Sequence, residues 1–432
     1  MTIRAFAAAL ALTGLPLLHA MGQTGWTVER CIAAAKEHNL SLQSARNSAR
    51  TADLSRQELG TTKYPQMKLG ALALYAPTVN SFGYDPAISN GGELAGQIFV
   101  QQSVYDGGIR TLRTEQLETE MEQRRTDIRR SERDLVFAVR QGYLEVLRAQ
   151  RESALEQDAV RQLEEYLELV KRLMQGGAAS STDVLKTEVQ LANARIGLQR
   201  SAESSDISLI SLKEVMGLPP DSAIVLEGTL EELLPADADT MAAAVSRTPA
   251  TNLDLSRSEL EVAKSVIDVE LTRHELYPAV SLIADAGVLT SGDNLRLPEG
   301  AREPIFGFSV GVTVELPLLT WGATDLRVQQ RQIAADNLRL EHDQLRRSID
   351  AQTRTLRLQL ANALQRLHAS RTVIEKAEGN YLLTKAKYAT GTALSLEVLN
   401  AQQLLTDSKL AEVQATADIS AIRARIEQLL TQ

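Results

Sequence analysis

Two periodicities alternate along this chain. From Phe306 to Pro317, Phe306, Phe308, Val310, Val312, Val314 and Leu316 alternate with Gly307, Ser309, Gly311, Thr313 and Glu315, the period of a strand with one apolar and one polar face. Val280, Leu282, Ala284, Ala286 and Val288 alternate less perfectly with Ser281, Ile283, Asp285 and Gly287. Four such strands are predicted, at about 66–76, 94–105, 279–290 and 306–317. Elsewhere the spacing is seven: Val146, Ser153, Val160, Leu167, Met174, and again Leu360, Leu367, Ile374, Tyr381, Tyr388. That is the narrow stripe of a long packed helix. Ile109 to Met174 holds no proline and one glycine, Gly142, so a single helix of 66 residues, about 99 Å at about 1.5 Å per residue, is predicted there. Gln175-Gly176-Gly177 breaks it, and a Ser/Thr/Asp cluster caps a second helix running to about Met216. The same pattern runs from Ala323 to Ala389, across Thr390-Gly391, and on to the end. A shorter helix is expected before each strand pair, Val28 to Leu59 and Met241 to Leu276, each stopped by the proline of a Tyr-Pro pair.

These patterns occur twice because the chain is a tandem repeat. Asn39-Leu40-Ser41-Leu42 returns as Asn252-Leu253-Asp254-Leu255, and Tyr64-Pro65 as Tyr277-Pro278, both at an offset of 213. Gly108 returns as Gly322, and Gly177 to Leu185 as Gly391 to Leu399, now at an offset of 214. The second repeat therefore carries one extra residue between Pro278 and Gly322, the stretch that matches Pro65 to Gly108, in a place for a surface loop. The division is a first repeat over 21–217, a linker over 218–240 containing the acidic stretch Glu231 to Asp239, and a second repeat over 241–432. Four strands are too few to close a membrane barrel, whose smallest examples have about eight, so several chains must contribute.

Composition bears on compartment and chemistry. Residues 1–20 combine Arg4, an apolar run from Ala5 to Leu18 and a small residue at Ala20, which reads as a secretory signal. No other apolar run reaches the about 18 residues of a membrane helix, so entry into a membrane is expected through a barrel. The lone cysteine, Cys31, follows the charged Glu29-Arg30 and is expected in the core of the first helix, not under a lipid anchor. A net charge of -9 with interspersed Lys and Arg argues against nucleic acid as a ligand. His19, His38, His274, His342 and His368 are scattered without metal-ligand spacing, and no nucleophile elbow or phosphate loop is present, so no enzyme, cofactor or metal site is expected.

The order of these parts, with the Tyr-Pro before each first strand, the Asp106-Gly107-Gly108 corner and the Gly391-Thr392…Glu397-Val398-Leu399 tip, resembles the TolC-like outer-membrane efflux family over essentially the whole chain. The resemblance implies a mainly α protein with a membrane β-barrel: a homotrimer whose twelve strands form one outer-membrane barrel on a periplasmic helical tunnel. It implies a duct that passes substrates outward from an inner-membrane pump of RND, ABC or MFS type, with a periplasmic adaptor protein at the hairpin tips. Being such an adaptor itself is the alternative, although an adaptor is expected to carry one hairpin, not two. Phe306, Phe308, Val310, Val312 and Val314 would face outer-membrane lipid, and Ser309, Thr313 and Glu315 the lumen. The loops about 80–93 and 291–303 would reach the cell exterior. At the turns marked by Gly176, Gly177 and Gly391, the family's pore-ringing acids fall on Asp183, Glu397 and Asn400, and Tyr388 matches a tyrosine that helps hold a closed state. Asn400 stands where a second acid is expected, and Ala393 where the family can place a base. Asp183 and Glu397 are also placed to cap helix N-termini.

Overall fold

The computed structural model describes residues 25–76, 91–233, 252–292 and 305–430. The signal segment, most of the two expected exterior loops and the linker beyond residue 233 lie outside the described residues. The chain begins with helices α1 (Val28–His38) and α2 (Leu40–Thr61), followed by strands β1 (Gln66–Ala76) and β2 (Gly91–Asp106). Helices α3 (Ile109–Gln175) and α4 (Ser181–Met216) come next, then α5 (Leu253–His274), β3 (Ala279–Gly292), β4 (Ile305–Glu315), α6 (Ala323–Ala389) and α7 (Ser395–Leu430). The long helices of the two halves have equal lengths, 67 residues for α3 and α6 and 36 for α4 and α7.

Three boundaries depart from the sequence pattern. The segment expected as one helix from Val28 is two, because Asn39 has extended backbone angles and caps both neighbours. Its Oδ1 accepts from Leu42 N at 3.1 Å and its Nδ2 donates to Val215 O at 3.2 Å, so the side chain competes with the helical ladder and ties the break to α4. Asn252 does the same at the start of α5, accepting from Asp254 and Leu255 N and donating to Leu429 O, so the helix expected to run through from Met241 is interrupted by a cap at Asn252, and residues 241–251 lie outside the described residues. The last strand stops at Glu315, short of Pro317, because its partner β3 starts at Ala279, the residue opposite Glu315. Proline has no N–H with which to continue alone.

The strands form one antiparallel sheet in the order β1-β2-β3-β4, with a bulge in β2 between Ser103 and Tyr105. Gln66 pairs with Gln101, and Ala279 with Glu315, so the two hairpins superpose at offsets of 213 on the first strand and 214 on the second. Strands β1 and β4 have no partner on their outer edges among the described residues. Beyond the sheet, α3 packs along α2, α4, α5 and α7, and α6 along α5 and α7.

Burial is divided among clusters strung along the helices. One holds Cys31, Leu42, Val139, Tyr143, Leu212 and Met216; another, beside the hairpin tips, holds Leu163, Tyr166, Tyr388, Val398 and Leu405; a third joins α6 to α7 through Ala363 and Ile419. Residues 218–233 fold onto the first cluster: Trp26 N donates to Val225 O at 2.8 Å, Glu227 N to Trp26 O at 3.1 Å, and Ile224 and Leu230 are buried. The Tyr143 hydroxyl donates to the carbonyls of Trp26 and Glu227, fastening α3 to this segment. Cys31 is fully buried there, and burial pushes its thiol up to about 11.

Candidate functional site

Two regions carry candidate function, the sheet and the hairpin tips. In the sheet, the register joins an apolar row from each of the four strands on one face. Phe308 lies opposite Ala286, Ala286 opposite Ile98, and Ile98 opposite Leu69; Val310, Ala284, Val100 and Met67 form the next row. This face is open: Phe306, Phe308, Val310, Val312 and Val314 are 63–76% exposed, and Met67 and Leu69 at the other edge 70% and 81%. The opposite face is mixed. One of its rows runs Lys68, Phe99, Asp285, Ser309, with the Ser309 hydroxyl donating to the Asp285 carboxylate. Gln97, Gln101, Thr313 and Glu315 share that face with apolar Leu72, Leu74 and Ile283, so its polarity is incomplete.

Each hairpin tip is turned by a Schellman motif. Gly177 (φ 78°) donates to Met174 O and Ala178 N to Leu173 O; Gly391 (φ 76°) donates to Tyr388 O and Thr392 N to Lys387 O. Only glycine adopts this left-handed geometry without strain, whereas Gly176 is right-handed, as is the α3 end that it caps. Asp183 then closes a capping box, its carboxylate accepting from Ser180 N at 3.1 Å while its own N–H donates to Ser180 Oγ at 3.2 Å. In the second hairpin Leu394 replaces Ser180, and only the reach-back bond survives, from Leu394 N to Glu397 Oε2 at 3.2 Å. Both acids therefore cap helices, and Glu397 is also exposed.

Tyr388 is buried inside the chain's own core. Its ring meets Tyr166 of α3 at 5.5 Å between centroids, and the Tyr166 hydroxyl donates to Ser395 Oγ at 3.0 Å. This buried contact joins the two hairpins just behind their tips. Burial pushes Tyr388 and Tyr166 upward, and the negative charge of Asp183 adds to both. Tyr166 and Ser395 were not singled out by the repeat, because their counterparts in the other half, Asn380 and Ser181, are of another kind or another setting. Asn400 lies apart from the tyrosines, in an open groove between α4 and α7 lined by Leu185, Lys186, Val189 and Leu396. Among the described residues no group of three His, Cys, Asp or Glu could hold a metal ion, and no helix is long and apolar enough to cross a membrane.

A family model described as outer membrane efflux protein matches residues 31–218 and 244–432. The alkaline protease secretion protein AprF of Pseudomonas aeruginosa is 23% identical over 278 residues, covering 64% of this chain and 57% of AprF. The outer membrane efflux protein BepC of Brucella suis is 22% identical over 413 residues, 96% of this chain and 87% of BepC. The solved structure of the outer membrane protein VceC from Vibrio cholerae superposes with a TM-score of 0.74 at 16% identity, over 94% of this chain and 96% of VceC, a likeness of fold.

Proposed function

Because this chain belongs to the outer membrane efflux protein family, we propose that it is the outer-membrane duct of a tripartite export system, a trimer with a twelve-strand barrel over a periplasmic helical tunnel. The observation that carries this reading is the sheet. An apolar face continuous over four strands, open along its length and ending in two edges unpaired among the described residues, is unsuited to water and cannot close by itself. Three copies supply twelve strands, which fits the even strand numbers of such barrels. Helices of 67 residues, about 100 Å at about 1.5 Å per residue, reach far from that barrel. Two hairpins on one sheet, and relatives named as outer-membrane efflux and secretion proteins, favour the duct over the adaptor.

The hairpin tips are the gate and the docking end. Asp183 and Glu397 would ring the opening, with Tyr388 bracing one hairpin against the other behind it. The exposed Leu185, Val189, Leu394 and Leu396 near the tips suit the apolar side of a periplasmic adaptor's helices, through which an inner-membrane pump would be reached. The test is the purified protein itself. It should run as a heat-dissociable trimer and conduct ions in planar bilayers; a stable monomer without conductance would overturn the reading.

A further inference from the structure

We propose that the seam between neighbouring copies repeats the seam the chain forms between its own halves, in a register fixed by the duplication and plugged at its corner by Trp321. The proposal rests on the trimeric reading above and adds which residues meet. Within the chain, β2 pairs with β3 and α3 lies along α5. At the free ends stand their counterparts: β4 and α6, related to β2 and α3 by the offset of 214, and β1 and α2, related to β3 and α5 by the offset of 213. Carrying Val100 opposite Ala284, and Gln101 opposite Ile283, through these offsets sets Val314 opposite Ala71 and Glu315 opposite Gly70 of the next copy. Ser103 opposite Ser281 becomes Pro317 opposite Lys68.

Three independent features fit this register. Val314 and Ala71 both lie on the apolar face and Glu315 and Lys68 both on the polar one, whereas a slip of one residue would reverse every pair. Lys68 also falls diagonal to Glu315, where opposite charges attract. The helices show the same complementarity. Ile267 of α5 is 8% exposed within the chain, but its counterpart Leu54 on α2 is 55% exposed. On α6, Leu326, Ile333 and Leu340, spaced by seven, are 60%, 62% and 66% exposed, whereas Thr126, the counterpart of Leu340 on α3, is 1% exposed. The ionic residues Asp254, Arg257 and Lys264 that hold α5 to α3 become Ser41, Ser44 and Thr51 on α2, so an apolar row on small side chains replaces the ion pairs.

The corner supplies the third feature. Gly107 (φ 67°) leaves no room for a side chain, since a Cβ there would come 2.7 Å from the Tyr277 Cβ, and the His274 ring fills the space over Gly108. Their counterparts are Trp321, Gly322, Tyr64 and Thr61. Trp321 is the one non-glycine residue with positive φ among the described residues, and it is 87% exposed. A ring has thus moved from one side of the seam to the other. Where His274 shrinks to Thr61, the indole of the adjoining copy takes the vacated volume, with the corner opened enough to clear Tyr64.

The test uses the full-length trimer in its membrane, with Cys31→Ala. Directly opposite residues lie about 4.5–5.5 Å apart, within reach of a disulfide, and those displaced by two do not. Val314→Cys with Ala71→Cys should give covalent oligomers on oxidation, well above Val314→Cys with Leu69→Cys or with Ala73→Cys. A preference for either displaced pair, or no cross-link in samples that still run as trimers, would overturn the register while leaving the duct intact. Samples that run as monomers before oxidation would overturn the trimer as well. For the plug, Trp321→Gly and Thr61→His should each lower the temperature at which trimers dissociate, and the double variant should recover most of the loss. In Trp26→Phe, which leaves Trp321 as the only tryptophan, emission should be blue-shifted and shielded from both acrylamide and brominated lipid. Quenching by brominated lipid would place the indole at the membrane surface, and quenching by acrylamide in water; either overturns the plug.

Discussion

Single side chains here do double duty as caps and as charges, and the two roles can be separated. The carboxylates of Asp183 and Glu397 accept backbone N–H groups at the start of α4 and α7. An uncharged amide retains the acceptor, so Asp183→Asn with Glu397→Gln should leave thermal stability nearly unchanged while lowering cation selectivity in planar bilayers. The alanine pair should lose selectivity and also about 1 kcal/mol per cap. Unchanged selectivity in both variants, with the stability loss confined to alanine, would make the acids caps alone. Tyr143 offers a second test at this scale. Its buried hydroxyl donates to two carbonyls, and burial pushes its pKa up to about 12. The unfolded phenol titrates near about 10. The stability Tyr143 contributes is therefore complete below about pH 10 and lost as pH rises towards its folded value. Tyr143→Phe should cost about 1–2 kcal/mol and flatten, without abolishing, the alkaline fall in melting temperature, because Tyr166, Tyr381 and Tyr388 are shifted in the same direction.

Between elements, the α3–α5 contact is the most ionic. Arg133, with 6% of its side chain exposed, donates to Asp254 at 2.8 Å, and Arg130 donates to the other carboxylate oxygen at 2.6 Å. Burial opposes the charge on Asp254, but the two guanidiniums more than offset it and hold its carboxyl below the ordinary range. Glu120 is held low by its hydrogen bond from Lys264, against the effect of burial. Depressed carboxylates stabilise the fold above about pH 4 and cease to do so as pH falls through their folded values. Acid should thus loosen α5 from α3 before it reaches the apolar clusters, which hydrogen exchange along α5 would show. Asp254→Ala strands the buried Arg133 with Asp134 as its remaining partner and should cost about 2–3 kcal/mol, with exchange rising in α5 and not in α4.

For the molecule as a whole, the decisive property is the sidedness of the sheet. A lipid-confined reagent should label cysteines introduced at Phe306, Phe308, Val310, Val312 and Val314 and spare those at Ser309, Thr313 and Glu315. Equal labelling of both sets would take β4 out of the membrane. Sidedness does not depend on how many copies assemble, since the register within one chain already places the even positions of β4 with the even positions of β3 and the odd positions of β1.

Much of this architecture was legible in the order of residues, because local rules govern it. An alternation of two needs only a pleat, a stripe at seven needs only a helical neighbour, and glycine at 177 and 391 marks turns that other residues enter with strain. Duplication then made each half a check on the other, which is why Asp183 and Glu397 could be matched as acids placed to cap the helices after the two turns, while a place for them at a pore came only from the family resemblance. What the order of residues left open depends on contacts between segments distant along the chain. The break at Asn39 exists because a carbonyl of α4, 176 positions away, receives its amide. Arg133 and Asp254 were two charges among many until α5 was laid on α3. Tyr166 found Ser395 only when two hairpins were packed side by side, and Trp321 became conspicuous only once its backbone angle and exposure were known. Period and punctuation are properties of a neighbourhood of a few residues, whereas partners, burial and pKa arise only after the chain has folded back on itself.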